Sequence, residues 1–145
     1  MKFAFLVYPK MQLMDLIGPL EILNIFQQLE PMLEISYVAA SLDKIDCGSG
    51  FVLSPDYCVD DAPQFDYLCV PGGKGRLSES NNANLINFIQ KQYNSCKLMM
   101  SVCTGMFFLY KAGILKNHSV TTYWRALPEI IGDDSVTVVE ERIVK

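Results

Sequence analysis

A chain of 145 residues, half of them hydrophobic and 19% charged, suffices for one domain around a single sizeable core and is short for two. A formal net charge of −4, with lysines and arginines scattered rather than clustered, excludes the basic field that nucleic-acid binding by this chain would need. The opening MKFAFLVYPK is broken by Pro9 and Lys10 before it reaches the length of a signal segment or membrane span, and no membrane association is expected.

That opening is instead a first strand, residues 2–8, of a cytoplasmic protein. Residues 15–29 follow as a helix that opens around Gly18-Pro19 and carries Leu20, Leu23, Ile25, Phe26 and Leu29 at helical spacing. A second strand is expected over 33–41, a small hairpin around Gly48-Ser49-Gly50, and a third strand over 65–70 that stops at Pro71-Gly72-Gly73. Residues 84–93 have the amphipathic pattern of a crossover helix, 97–102 form a fourth strand, and 104–113 the next helix, closed by Gly113. Strands separated by helices imply an α/β sandwich on a mostly parallel sheet.

In such a sheet the ligand site lies beyond the carboxyl ends of the strands. Three unusual segments fall there: YPKMQLMDLIGP after the first strand, PGGKG after the third and SVCTG after the fourth. Ser101 and Gly105 flank Cys103 by two residues on each side, the small neighbours that a tight strand-to-helix nucleophile turn requires. A cysteine at a helix N-terminus also faces the positive end of the dipole, which favours thiolate. The Thr104 N–H, with an N–H from the Gly72-Gly73 loop, can form an oxyanion hole. On the residues alone Cys103 remains open between a nucleophile and one more buried thiol. Asp15 is equally open between a site carboxylate and a helix N-terminal one.

The other cysteines, Cys47, Cys58, Cys69 and Cys96, add no C-x-x-C pair and leave an odd thiol in any pairing, so neither a zinc site nor a disulfide framework is expected. Cys69, inside an apolar strand, reads as a small buried hydrophobe. Glu21 reads as a helix-face residue, His118 as a solvated turn residue and Trp124, in the helix-like stretch 123–131, as packing.

Taken in order, YPKMQLMDLIGPLEIL, VPGGKG and SVCTGMFFLYKAGILKNHSVTTYW resemble the DJ-1/PfpI (ThiJ) family of the class I glutamine amidotransferase-like superfamily. Within that family the D-x-x-G-P-x-E signature and the C-T-G elbow are most similar to the isonitrile hydratase branch and to the amino-terminal domains of some AraC-type regulators. The resemblance runs from Met1 to about Ile131. It implies a flavodoxin-like three-layer fold, a homodimer, a small-molecule substrate and no cofactor or metal. Carried over by position, it makes Cys103 the nucleophile, Thr104 its neighbour contributing an N–H and a hydroxyl, and Asp15 the acid that contacts the thiol and moves protons. Gly72 and Gly73 match the family's glycine loop.

Two departures shape the expected chemistry. Where many members carry a histidine in a TTHW-like stretch, this chain has Tyr123, and a phenol is a poor general base near neutral pH. A Cys-His hydrolase is therefore disfavoured against the hydratase scheme, in which water adds to an isonitrile to give an N-substituted formamide. A silent sensing or interaction domain and a redox sensor using Cys103 are the alternatives. The second departure is the end of the chain: the family continues past SVTVVEERIVK with a further strand and helix, so the domain is expected to be truncated at its C-terminus, its exposed apolar face covered by a partner chain.

Overall fold

The apolar run after Lys2 does not alternate, the mark of a strand covered on both faces. In the computed structural model, which describes residues 1–48 and 50–145, it forms β1 (Lys2–Leu6), buried throughout beyond Lys2. It is followed by α1 (Leu13–Leu29), β2 (Glu34–Ala39), β3 (Ile45–Asp46), β4 (Val52–Leu53), β5 (Tyr57–Cys58) and β6 (Tyr67–Val70). The second half contributes α2 (Arg76–Glu79), α3 (Ala83–Tyr93), β7 (Leu98–Ser101), α4 (Met106–Lys111), β8 (Ser119–Val120) and β9 (Thr137–Val138).

Strands β5, β2, β1, β6 and β7 lie in that order in one sheet, every pair parallel, with Phe5 opposite Tyr37 on one flank and Cys69 on the other. Helices flank this sheet, giving the expected flavodoxin-like α/β fold. The chain leaves β1 outward to β2 and returns to place β6 on the opposite flank. The order thus reverses between β1 and β6, and a crevice opens at their carboxyl ends. Both loops bordering that crevice carry residues singled out from the sequence: Asp15 after β1, Gly72 and Gly73 after β6.

Helix α3 buries Leu85, Phe88 and Ile89 on one face and is capped by the Asn82 side chain, which accepts from the Asn84 N–H at 3.1 Å. Helix α1 departs from expectation in two ways. It begins at Leu13, so Pro19 lies inside it rather than at its opening. The first turn is set from outside, since the Gln12 N–H donates to the Gly72 carbonyl at 2.7 Å and so fixes the backbone that launches the helix. Its residues Ile25, Phe26 and Leu29 are exposed, contrary to the inward stripe their spacing suggests.

The hairpin is present as antiparallel β3 and β4, with Ile45 opposite Leu53; Ser49 lies outside the described residues. The single helix expected over 104–113 is a 3₁₀ turn at Cys103–Gly105 running into α4, and Gly113, with φ +74°, terminates it. The stretch read as helix-like over 123–131 is a 3₁₀ turn at Trp124–Glu129 containing Pro128. Its Ala126, with Ile130, joins Met106, Phe107, Val120 and Val136 in a second, smaller core. Among the described residues no helix is long and apolar enough to cross a membrane.

Candidate active site

The site is built on the abrupt end of β7. Turning from strand to helix within three residues requires a left-handed backbone at Cys103, φ 54°, a conformation that costs a non-glycine residue about 1–2 kcal/mol. The turn packs directly on the end of β6: a Cβ at Gly105 would stand 2.0 Å from the Val70 carbonyl oxygen. Hence the small residue two positions past the cysteine. The Val102 N–H donates to that same Val70 carbonyl at 3.0 Å, and the Thr122 hydroxyl donates to the Cys103 carbonyl at 2.9 Å. Strain at Cys103 is thus held from both sides.

The glycine loop after β6 fixes the other side chains. The Gly72 N–H donates to Asp15 Oδ2 at 3.0 Å, and the Gly73 N–H donates to Thr104 Oγ1 at 3.0 Å. A Cβ at Gly72 would lie 2.6 Å from the Thr104 nitrogen and 3.0 Å from Asp15 Oδ2, so only glycine lets the three segments meet. Asp15 of the first turn of α1, Gly72 and Gly73 of the loop after β6, and Cys103 and Thr104 of the 3₁₀ turn after β7 are brought together. The loop's two N–H groups, read from the sequence as oxyanion donors, are here directed at Asp15 and Thr104.

Cys103 is half-buried, and its thiol lies beside the Asp15 carboxyl and the N–H and hydroxyl of Thr104, the groups that set its titration. Burial pushes its pKa up, the Asp15 charge and the bond to that carboxyl push it further, and the Thr104 donors pull it down without reversing the shift. The net shift favours the thiol over the thiolate. The direction runs against the dipole-stabilised thiolate expected from the sequence: the following helix has six residues, and the Asp15 carboxyl lies beside the sulfur. Burial also raises the pKa of Asp15, opposed by the Gly72 N–H and by the Cys103 thiol that donates to it.

Beneath them Tyr8 is buried, its hydroxyl donating to the Pro71 carbonyl at 2.7 Å; burial drives its pKa far up and keeps it neutral. Cys69 is pushed up to about 12 by burial, in keeping with the inert thiol expected there. All five cysteines are free. Glu21 is exposed on α1, and His118 is exposed with Nδ1 3.0 Å from the Lys116 carbonyl; neither belongs to the Cys103 cluster. Tyr123 and Trp124 are exposed, which corrects the reading of Trp124 as packing.

Three contributors were not foreseen. Thr122 is one. The others are Arg76, almost buried with its guanidinium 4.1 Å from the Phe107 ring centroid, and Glu129, which receives both of its terminal nitrogens, Nη1 to Oε2 at 2.8 Å. That pair holds the Glu129 carboxyl below its usual range. A charged residue directly after a run of glycines was the only local signal for Arg76.

A doubly wound parallel sheet, a left-handed cysteine at a strand-to-helix elbow and a carboxyl from the first helix on its thiol together define an elbow-cysteine α/β protein. The chain belongs to the DJ-1/PfpI family, whose profile matches residues 1–145. It is 30% identical over its full length to an isonitrile hydratase of Pseudomonas putida, 61% of which it covers. It is 29% identical over 126 residues to the HTH-type transcriptional regulator GbdR of Pseudomonas aeruginosa, covering 86% of this chain and 34% of the regulator. A solved THiJ/PfpI family protein from Pseudomonas syringae superposes with a TM-score of 0.86 at 30% identity, over 99% of this chain and 58% of that one. The chain thus spans about three fifths of the hydratase and of the solved protein.

Proposed function

We propose that this domain is a cysteine-dependent, isonitrile hydratase-like enzyme that converts an isonitrile and water to an N-substituted formamide. The observation that carries the reading is the Asp15 carboxyl held by the Gly72 N–H at 3.0 Å beside the Cys103 thiol. Isonitrile hydration adds sulfur and a proton to the same terminal carbon, and a thiol paired with a carboxylate supplies both. The sulfur forms a bond to that carbon as its proton passes through Asp15 to the carbon, leaving a thioimidate R–N=CH–S. Water then adds to the carbon, its proton moving through Asp15 to nitrogen. The C–S bond breaks, the formamide leaves, and sulfur regains its proton. Thr104, with its N–H and hydroxyl, stabilises charge on sulfur as it departs. No histidine is needed, which suits Tyr123 at the position where relatives of the resemblance carry one.

Likeness to the P. putida hydratase across the full chain supports this reading. Likeness to the GbdR regulator supports a second one, in which the same cleft senses a ligand without turning it over. A redox-sensing role for Cys103 is the weaker alternative, because oxidation proceeds through the thiolate and the site raises the thiol pKa. In this reading the protein works in the cytoplasm as a homodimer, which the family resemblance and the exposed apolar face of α1 support. Purified protein given an alkyl or aryl isonitrile should release the formamide, with turnover lost in Cys103→Ala and in Asp15→Asn. Absence of formamide from the wild-type protein would leave the sensing reading in place of the enzymatic one.

A further inference from the structure

The peptide unit between Cys103 and Thr104 belongs to the strained elbow and faces the sulfur at the same time. Its N–H is that of Thr104 and lies beside the Cys103 thiol, where it favours the charged form. Its carbonyl is that of Cys103 and receives the Thr122 hydroxyl at 2.9 Å. No cis peptide bond occurs among the described residues, so this unit is trans and planar, its N–H and C=O pointing in opposite directions. A group that fixes one end therefore fixes the aim of the other. Backbone at φ 54° persists only where its surroundings over-determine it. On the N–H side the packing is tight, since a Cβ at Gly72 would lie 2.6 Å from the Thr104 nitrogen. On the carbonyl side Thr122 supplies a side-chain restraint, and its own segment is anchored at both ends. Val120, two residues before it, is buried and paired through β8 to β9, while Glu129 receives the guanidinium of the nearly buried Arg76.

We infer that Thr122 is a positioning residue: by holding the Cys103 carbonyl, its hydroxyl aims the Thr104 N–H at the sulfur. It acts through the peptide unit rather than on a reacting atom. This rests on the reading of Cys103 as the reactive group, but not on isonitrile chemistry. A hydrogen bond accepted at the carbonyl also polarises the peptide and strengthens its N–H as a donor. Both effects favour negative charge on sulfur, whether the sulfur is attacking or leaving. Without the hydroxyl the strained turn has one restraint fewer, and the N–H turns away from the sulfur as the backbone relaxes.

The test follows iodoacetamide alkylation of Cys103 in the full chain across pH, by peptide mapping, and reads the midpoint of its titration. Thr122→Val keeps the shape of the side chain and removes the donor. Its midpoint should move to higher pH and slow alkylation below the midpoint about 2- to 10-fold, the worth of one hydrogen bond, with the plateau rate above it unchanged. Thr122→Ser, which keeps the hydroxyl, should retain the wild-type midpoint. Thr122→Ala removes the donor without crowding the half-buried position and should show the same displacement as Thr122→Val. A wild-type midpoint in both donor-lacking variants, a Thr122→Ser midpoint displaced as far as theirs, or equal slowing at every pH overturns the positioning role while leaving Cys103 reactive. Loss of the fold in both donor-lacking variants does the same, and makes Thr122 a structural residue. Labelling of other cysteines with Cys103 untouched at every pH removes the reading of Cys103, and the positioning role with it.

Discussion

A thiol and a carboxyl in contact, both with raised pKa values, respond to substitution in opposite senses. Removing the Asp15 charge takes away one of the causes that hold the Cys103 pKa up, while the Thr104 N–H and hydroxyl remain to favour the thiolate. Asp15→Asn should therefore move the pH profile of Cys103 alkylation to lower pH and speed alkylation near neutrality. An unchanged or upward-shifted profile would contradict the pairing. Stability follows from the same shift. A carboxyl whose folded pKa is raised contributes stability that is complete below the ordinary carboxylate range and lost as pH rises through the folded value. Asp15→Asn should accordingly melt higher than the wild type near neutral pH, and the advantage should vanish in acid; melting curves at both pH values check it. The cluster itself was legible because each member sits at a strand end, beside a glycine or in the first turn of a helix. Arg76 and Glu129 were not, since they lie 53 residues apart and no local pattern joins them.

Elements were readable where a residue's neighbours in sequence are also its neighbours in space. The buried strands β1 and β6 and the partly exposed β7 show as apolar runs, and α3 shows as a periodic face with its Asn82 cap. β5 has two residues and exists only because β2 supplies its partners, Val38 opposite Tyr57 and Ala39 opposite Cys58. The start of α1 is likewise fixed by a contact with Gly72, and so Gly18-Pro19 was a false opening signal. The elbow shows the stiffest coupling between elements. A methyl group on Gly105 would meet the backbone oxygens of Val70 at 2.0 Å and Pro71 at 2.9 Å, neither of which can rotate away. Gly105→Ala should force β6 and the elbow apart and destabilise the fold by about 3 kcal/mol, at the upper end of overpacking costs. Urea unfolding measures this, and a change within a few tenths of a kcal/mol would mean that the turn is looser than its geometry.

At the scale of the whole molecule, a groove of about 940 Å³ runs past Pro19, Ile22 and Leu23 of α1, Leu98 and Met100 of β7 and Met106 and Leu109 of α4. The outer side of α1 continues this apolar surface, with Ile22 69%, Ile25 64% and Leu29 79% exposed, and Met32 follows just beyond the helix. Scattered exposed apolar residues are ordinary, whereas a continuous strip along a helix beside a groove is the kind of surface that association covers. The sequence carried this signal in disguise: α1 is apolar on more than one side, and a helical stripe alone does not tell which side meets the chain's own core. A second copy of the chain, pairing α1 against α1, would bury the strip symmetrically and link folding to association. Sedimentation at low micromolar concentration should then show a dimer, and the melting midpoint should rise with protein concentration. Ile25→Glu, at an exposed position that adds nothing to the core, should shift the sedimenting species to monomer and lower the midpoint. A monomer with a concentration-independent melt would reject the paired α1 face.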